Sequence, residues 1–222
     1  MFAPILKDVG HDRSVYALDL PGHGTSDTPT VRYSIADLAS AIGDFLDSLR
    51  LRSVDLFGHE LGALVAAELA IARPQQVRKV LLWGVPLYTA QERTAVLQQP
   101  TRLGAREDGG DVIDEWRRLL EHRGPSVPMP ALAEELADRL RAGASTARAL
   151  AAAVEYQVTE RLPLVKQPTQ VLRVRDEFWD HAPRVRSALP NSSLLDLPDY
   201  GRGFLSAAPQ KFASIAREFL DR

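Results

Sequence analysis

Val54-Asp55-Leu56-Phe57-Gly58-His59-Glu60-Leu61-Gly62 is the stretch that decides the fold of this chain. A β-prone run enters Gly-x-Glu-x-Gly, and a run of small apolar residues leaves it as far as Ala72. This is the pattern of a sharp strand-to-helix elbow, which lifts its central side chain above a parallel sheet. Serine usually occupies the centre. Here the centre is Glu60, so the architecture can be read from the pattern while the chemistry that usually accompanies it cannot be carried over.

Outward from the elbow, strands and helices alternate. Residues 14–20 form a β-rich run that ends at the turn Pro21-Gly22-His23-Gly24. Ser34, with Asp37 three residues on, predicts the N-terminus of a helix that carries Ile35, Leu38, Ile42, Phe45 and Leu46 at helical spacing. Residues 53–57 read as a strand, 61–72 as a helix closed near Pro74, and 78–83 as a strand closed by Gly84 and Pro86. Strand, helix and strand recurring at this spacing predict a parallel sheet with right-handed crossovers. From Tyr88 to Leu162 no β-rich run occurs. Residues 98–110 and 122–130 are rich in Gly, Pro and charge, and helices are expected over 111–121, 131–142 and 145–158, the last two parted at Gly143-Ala144. Strands resume at 169–174 and 193–197, and a last helix spans about 208–221. The expected fold is α/β, a mostly parallel sheet with helices on both faces, in a single domain over 1–222 with a helical insertion at 88–162.

Composition narrows the function classes. The 222 residues suffice for one sizeable core, and 45% hydrophobic with 25% charged content is ordinary for a globular chain. A net charge of -2 offers no basic field for nucleic acid or an anionic membrane. The cysteine count of 0 removes disulfides, thiolate metal sites and a cysteine nucleophile, and fits a cytoplasmic protein. No apolar run reaches the roughly 18 residues of a membrane span. No histidine pair shares metal-ligand spacing with a carboxylate, so neither a metal nor a cofactor is expected.

Taken together, Val15 to Asp27, Gly58 to Gly62, Val80 to Val85 and Leu197-Pro-Asp-Tyr-Gly-Arg-Gly-Phe204 resemble, in order and spacing, four segments of the α/β-hydrolase superfamily. Residues 88–162 occupy the place of that family's helical lid. The resemblance implies a Ser–acid–His triad in that chain order. The nucleophile position holds Glu60 and the histidine position holds Arg202. The acid position falls in the loop after 169–174, on Glu177 by register, with Asp176 as the alternative. A carboxylate is a poor acyl acceptor, and a guanidinium with a pKa above about 12 cannot take a proton as a general base. The family's Ser–His mechanism is therefore not available at these positions.

The resemblance also implies first strands and an oxyanion loop before the equivalent of residue 1, including a strand between those matching 14–20 and 53–57. Three readings follow: the chain start is misassigned or trimmed, the sheet closes by direct pairing of 14–20 with 53–57, or a partner chain supplies a strand. The backbone N–H of Leu61 is the oxyanion donor expected to remain.

Glu60 has three readings. It pairs with Arg202 where Ser and His would have touched, a joint replacement that leaves neither charge buried alone. It acts as a carboxylate nucleophile or base with Glu177, in a small-molecule hydrolase or lyase. Or the pocket runs other chemistry, with Glu60 as base and Arg202 as anion clamp. The residues placed to line a pocket are His59, Leu61, Trp83, Trp179 and His181, each with a packing role as its alternative; for His181 that alternative is a solvated helix start. His11 and His122 read as exposed, and His23 as part of its turn. Arg117-Arg118 and Arg139/Arg141 read as solvated helix faces, and Trp116 with Val112, Ile113, Leu119 and Leu120 as a packing stripe. The partners this reading allows are a small-molecule ligand under the lid and a second copy docked through the exposed edge of strand 14–20.

Overall fold

The computed structural model describes residues 1–98, 106–143 and 145–222. Helices α1 (Ala3–Val9) and α2 (Ile35–Ser48) precede the sheet. Ser34 caps α2 as its sequence requires: its hydroxyl accepts from Asp37 N at 3.2 Å, and the Asp37 carboxylate accepts from Ser34 N at 2.8 Å. Then come β1 (Val54–His59), α3 (Leu61–Ala72) and β2 (Val77–Trp83). The helical insertion follows, with α4 (Ala90–Leu97), α5 (Gly110–Glu121), α6 (Met129–Ala142), α7 (Ser145–Glu155) and α8 (Val158–Arg161). The chain closes with β3 (Thr169–Arg175), α9 (His181–Ala188), β4 (Ser192–Gly201), α10 (Phe204–Ala207) and α11 (Pro209–Leu220).

The four strands lie in the order β1-β2-β3-β4, and every pairing is parallel. Side chains alternate between two cores, as the period of two dictates. Val54, Leu56, Val80, Leu82, Val171 and Leu194 face α2, α3 and the end of the insertion. Phe57, Leu81, Trp83, Leu172, Val174 and Leu197 face α1, α10 and α11. Burial on both faces explains why these strands read as continuous apolar runs.

The β-rich run 14–20 forms no strand and has no ladder pairing with any strand among the described residues. High β-propensity marks a segment that fits a pleated, half-covered surface, and no described strand lies beside this one to accept it. The direct pairing of 14–20 with β1 is therefore not made. The dimer expected through a 14–20 edge has no strand edge to use. Tyr16 instead stacks edge-on against Phe45 of α2, with ring centroids 5.7 Å apart.

In the insertion, α4 was not anticipated by periodicity; a Thr89/Glu92 capping box starts it. The expected helix 145–158 stops at Glu155. The chain turns there so that the Tyr156 hydroxyl and the Arg161 guanidinium both donate to buried Glu68 on α3, at 2.7 and 2.6 Å. Residues 99–105 of the Gly/Pro-rich 98–110 segment, and Ala144 of the expected helix break, lie outside the described residues. No helix among the described residues is long and apolar enough to cross a membrane.

The elbow depends on glycine at one position more than the other. A Cβ on Gly58 would lie 2.3 Å from the Gly62 carbonyl oxygen and 2.6 Å from Ala63 Cα, whereas one on Gly62 would meet nothing within 4 Å. Gly58→Ala must push α3 away from β1 and is expected to cost about 1–3 kcal/mol, while Gly62→Ala should be near neutral or stabilising. Chemical denaturation of the two variants checks this, and equal effects would remove the argument.

Candidate functional site

Glu60 caps the elbow at φ 50° and ψ −114°, a conformation unusual for a residue with a side chain. Its N–H donates to the Trp83 carbonyl at 3.1 Å, and its carbonyl accepts from Ala63 N at 3.0 Å. The backbone is thus fixed and its side chain rises at the C-terminal end of the sheet. Arg202, just beyond β4, approaches from the other side. Its N–H donates to the His122 carbonyl at 3.0 Å, and its side chain is 1% exposed. Backbones approach closely here: a Cβ on Gly201 would lie 2.3 Å from Gly124 N, and one on Gly124 would lie 2.4 Å from Gly201 N. Two glycines thus let the α5–α6 connection dock against the tip of β4.

The Arg202 guanidinium binds three carboxylates. Nη2 contacts both Glu60 and Glu177, Nε donates to Glu177 Oε2 at 2.8 Å, and Nη1 donates to Glu135 Oε1 at 3.1 Å. The structure thus brings Glu60, Glu177 and Arg202 together around one guanidinium. Asp176 turns the other way: its Oδ2 accepts from Trp83 Nε1 at 2.6 Å and its Oδ1 from Phe178 N at 2.8 Å.

The insertion completes the cluster. Glu115 and Arg118 come from α5, and Glu135 and Arg139 from α6. Arg118 donates to Glu115 and Glu177, each at 2.7 Å. Arg139 lies 2.9 Å from Glu115, 3.3 Å from Glu135 and 3.5 Å from Glu60. Glu135 also accepts from Gly203 N at 2.8 Å. Four carboxylates therefore surround three guanidiniums, and the lattice ties α5 and α6 to the elbow, to β3 and to the end of β4. Arg118 and Arg139, expected on solvated faces, turn their guanidiniums into the cluster and are only partly exposed, at 35% and 22%; Arg117 and Arg141 do stay exposed. Four cluster residues, Glu115, Arg118, Glu135 and Arg139, were thus not among the candidates. Their one sequence signal is the acid–base spacing of three and four residues, which reads equally well as a surface pair.

The charge states follow from this packing. Burial raises the Glu60 pKa, but Arg202, His59 and Arg139 outweigh it and hold the carboxyl well below the usual range. Glu177 behaves likewise: Arg202 overcomes burial and holds it at about 2. Burial opposes the charge of Arg202, yet Glu177, Glu60 and Glu135 hold its pKa well above the ordinary value. Asp176 goes the other way: burial, with the Glu177 charge adding to it, pushes its carboxyl up to about 7 against the pull of Arg202. His59 is lowered to about 4 by burial and stays neutral. Its Nε2 lies 3.9 Å from Glu60 Oε1 and has no hydrogen-bond partner among the described residues.

The other candidates scatter. Leu61 opens α3 and packs against the core. Trp83 is buried, stacked on His59 with centroids 4.0 Å apart. Trp179 lies under the Arg173 guanidinium, 4.0 Å from it, and touches none of the cluster. His181 opens α9 but is buried, not solvated: its Nδ1 accepts from Leu87 N at 3.0 Å between the rings of Tyr88 and Phe178. His11 is exposed, and His122, expected to be exposed, is half-buried, its carbonyl accepting from Arg202 N. Among the described residues no group of three or more His, Cys, Asp or Glu could hold a metal ion. One cavity, of about 290 Å³, borders the cluster at Glu135 and is floored by His59, Trp83 and Phe204; a second, of about 230 Å³, lies apart from it beside Tyr88 and Tyr156, and Glu60 lines neither.

Chemically, the cluster offers no acyl acceptor and no group that titrates near neutrality at the elbow. Its acceptor lone pairs point at guanidiniums. The arrangement is suited to holding elements together.

Residues 1–108 match the family model described as alpha/beta hydrolase fold. An uncharacterized protein of Mycobacterium tuberculosis strain H37Rv is 29% identical over 245 aligned positions, covering 94% of this chain and 67% of that protein. Epoxide hydrolase 4 of Homo sapiens is 36% identical over 83 residues, 36% of this chain and 23% of that protein. A thermophilic esterase from Thermogutta terrifontis superposes with a TM-score of 0.81 at 18% identity, covering 99% of this chain and 84% of the esterase.

Proposed function

This chain belongs to the α/β-hydrolase superfamily, and from that premise we propose that it is a non-catalytic member, a pseudoenzyme whose three triad positions fasten a helical lid and do not turn over an ester. The observation that carries this reading is the Arg202 guanidinium, 1% exposed, bridging Glu60 and Glu177. In a serine hydrolase the positions of Glu60 and Arg202 exchange a proton. An ion pair whose acid is held below its usual pKa and whose base is held above it has no proton to exchange near neutral pH. Residues 88–162 act as the lid in this reading, and Glu115, Arg118, Glu135 and Arg139 are its fastenings. What remains is a binding or scaffolding role in the cytoplasm, with any small-molecule ligand seated beside the cluster and not on Glu60.

A second reading keeps Glu60 as nucleophile or base with Glu177, in a small-molecule hydrolase or lyase. The strained elbow at φ 50° supports it, because strain of this kind is usually retained where it serves chemistry. So does the partial similarity to an epoxide hydrolase.

One experiment separates the two. Wild type and Glu60→Gln are assayed on a panel of short p-nitrophenyl esters and on a simple aryl epoxide. The expected result is no turnover by either protein while both remain folded. Turnover by the wild type that is lost in Glu60→Gln would overturn the leading reading and establish the second.

A further inference from the structure

His181 is 5% exposed, and its surroundings select one protonation state. Its Nδ1 accepts from Leu87 N at 3.0 Å, so that nitrogen carries no proton and the ring's one proton sits on Nε2. Leu87 belongs to the strap of residues 84–89, which runs from the end of β2 to the start of α4 and leads the chain into the insertion. The Val85 carbonyl takes the same N–H at 2.9 Å in a tight turn. The turn thus shapes the strap locally, while His181 holds it against α9. The ring stands edge-on to Tyr88 of the strap and to Phe178 of the loop before α9, with centroids 5.5 and 5.3 Å away. Its Nε2 lies 3.7 Å from Glu92 Oε1 of α4. That carboxylate is already engaged: it accepts from Arg184 of α9 at 3.0 Å and from Thr89 N at 2.6 Å.

We propose that His181 is an acid-released latch at the entrance to the insertion: the neutral ring holds the strap 84–89 to α9, and the protonated ring lets it go. The device rests on one nitrogen. A second proton must go to Nδ1, where it meets the Leu87 hydrogen across 3.0 Å, donor against donor. Turning the ring over does not help, because an imidazolium has two donors and no acceptor. Val85 keeps the amide satisfied, so the conflict is relieved by moving the strap off the ring and not by unfolding the turn. The charges around the ring set when this happens. Burial is the largest influence and Arg184 adds to it, and together they hold the imidazole below its ordinary 6.5 against the pull of Glu92, Asp180 and Glu177. Tyr88, the other titratable group touching the ring, stays a neutral phenol because burial, Glu60 and Glu177 all push it up. A depressed value means that the closed form binds fewer protons than the open one, so the latch is closed at neutral pH and opens as pH falls below 6.5. Leu87 and Tyr88 also wall the cavity of about 230 Å³, so release of the strap widens it. The inference goes beyond the reading of the triad positions and holds whether or not the elbow is active.

Hydrogen exchange of the full chain from about pH 7.5 to about pH 4.5, corrected for the intrinsic rate and read by mass spectrometry, tests it. The expected result is a loss of protection of about tenfold or more over residues 84–92 as pH falls, while β1, β3 and α11 keep theirs. His181→Phe keeps an aromatic ring and removes the titration, so its protection should be the same at every pH. Arg184→Gln removes the neighbouring cation and should move the transition to higher pH. Glu92→Gln removes the neighbouring anion and should move it to lower pH. Protection over 84–92 that stays flat in the wild type overturns the proposal, as does a transition that survives His181→Phe. A loss that spreads to β1, β3 and α11 at the same pH is acid unfolding of the whole fold and overturns it too. If His181→Phe does not fold, the other two variants decide: a transition that moves the same way in both, or in neither, overturns the latch.

Discussion

Replacing Arg202 with methionine is expected to lower stability by about 3–5 kcal/mol at neutral pH and the melting temperature by roughly 10 °C. Methionine keeps the apolar stem of arginine but not the guanidinium, so the loss is that head group's charge together with its hydrogen bonds. It leaves Glu60, Glu135 and Glu177 facing one another with two of the three guanidiniums still in place. Arg118 still reaches Glu177, and Arg139 still reaches Glu135 and, at 3.5 Å, Glu60. Neither can replace the four bonds and contacts that Arg202 makes. Acid should shrink the deficit. Glu60 and Glu177 have folded pKa values below their ordinary ones, so their stabilisation is present above about pH 4.5 and is lost as pH falls through the folded values. Once the stranded carboxylates of the variant take up protons, their mutual repulsion disappears. Arg202→Lys should fall between the two, since one ammonium cannot serve three carboxylates in the geometry of a planar fork. Urea unfolding at pH 7 and pH 5 measures all three proteins. A loss below about 1 kcal/mol for Arg202→Met at pH 7 would place the lattice among the surface pairs that contribute little, and the fastening role would fall with it.

The parallel sheet was legible because its signals are local. Gly58 at the elbow, the Ser34–Asp37 capping box and the breaks at Pro74 and Gly84 each act through their immediate neighbours. The run 14–20 was misread because a strand is not a local object. Val15, Tyr16 and Leu18 have the side chains of a strand, but hydrogen bonding needs a second backbone, and propensity cannot supply one. The site divides in the same way. Glu60 and Arg202 were found because each breaks a strong pattern. Glu115, Arg118, Glu135 and Arg139 were missed because acid–base pairs at helical spacing are the commonest surface motif, and nothing within α5 or α6 says that the pair faces inward. A clue was present in charge balance. A buried Arg202 facing two carboxylates leaves an excess negative charge that requires further cations, and the insertion was the one segment whose position could supply them.

Asp176→Asn is expected to change the pH dependence of stability and to stabilise the protein under alkaline conditions. Asp176 has a folded pKa of about 7 against an ordinary value of 3.8, because burial, helped by the charge of Glu177, disfavours its ionised form. Between those values the folded state holds a proton that the unfolded state has released. Stability therefore falls as pH rises from about 4 to about 7, and the full cost is present above that. The size of the shift sets an upper bound of about 4 kcal/mol. The depressed carboxylates Glu60 and Glu177 act in the opposite direction and in a different window, losing their contribution only as pH falls below about 4.5. From these three carboxylates the wild type should accordingly be most stable near about pH 4 to 4.5 and lose stability steadily above it. Asparagine resembles the protonated acid: it is neutral, and it keeps one oxygen to accept from Trp83 Nε1 or from Phe178 N, the two donors that Asp176 now serves. The variant should exceed the wild type by up to about 2 kcal/mol at pH 5.5 and by up to about 4 kcal/mol at pH 8.5, the gap widening as pH rises. Urea denaturation followed by circular dichroism at pH 5.5, 7 and 8.5 reads the difference directly. A wild type whose stability is flat across that range, or a variant displaced by the same amount at every pH, would mean that Asp176 is ionised in the folded protein and that the lattice, with its fourth carboxylate uncompensated, tolerates a fifth.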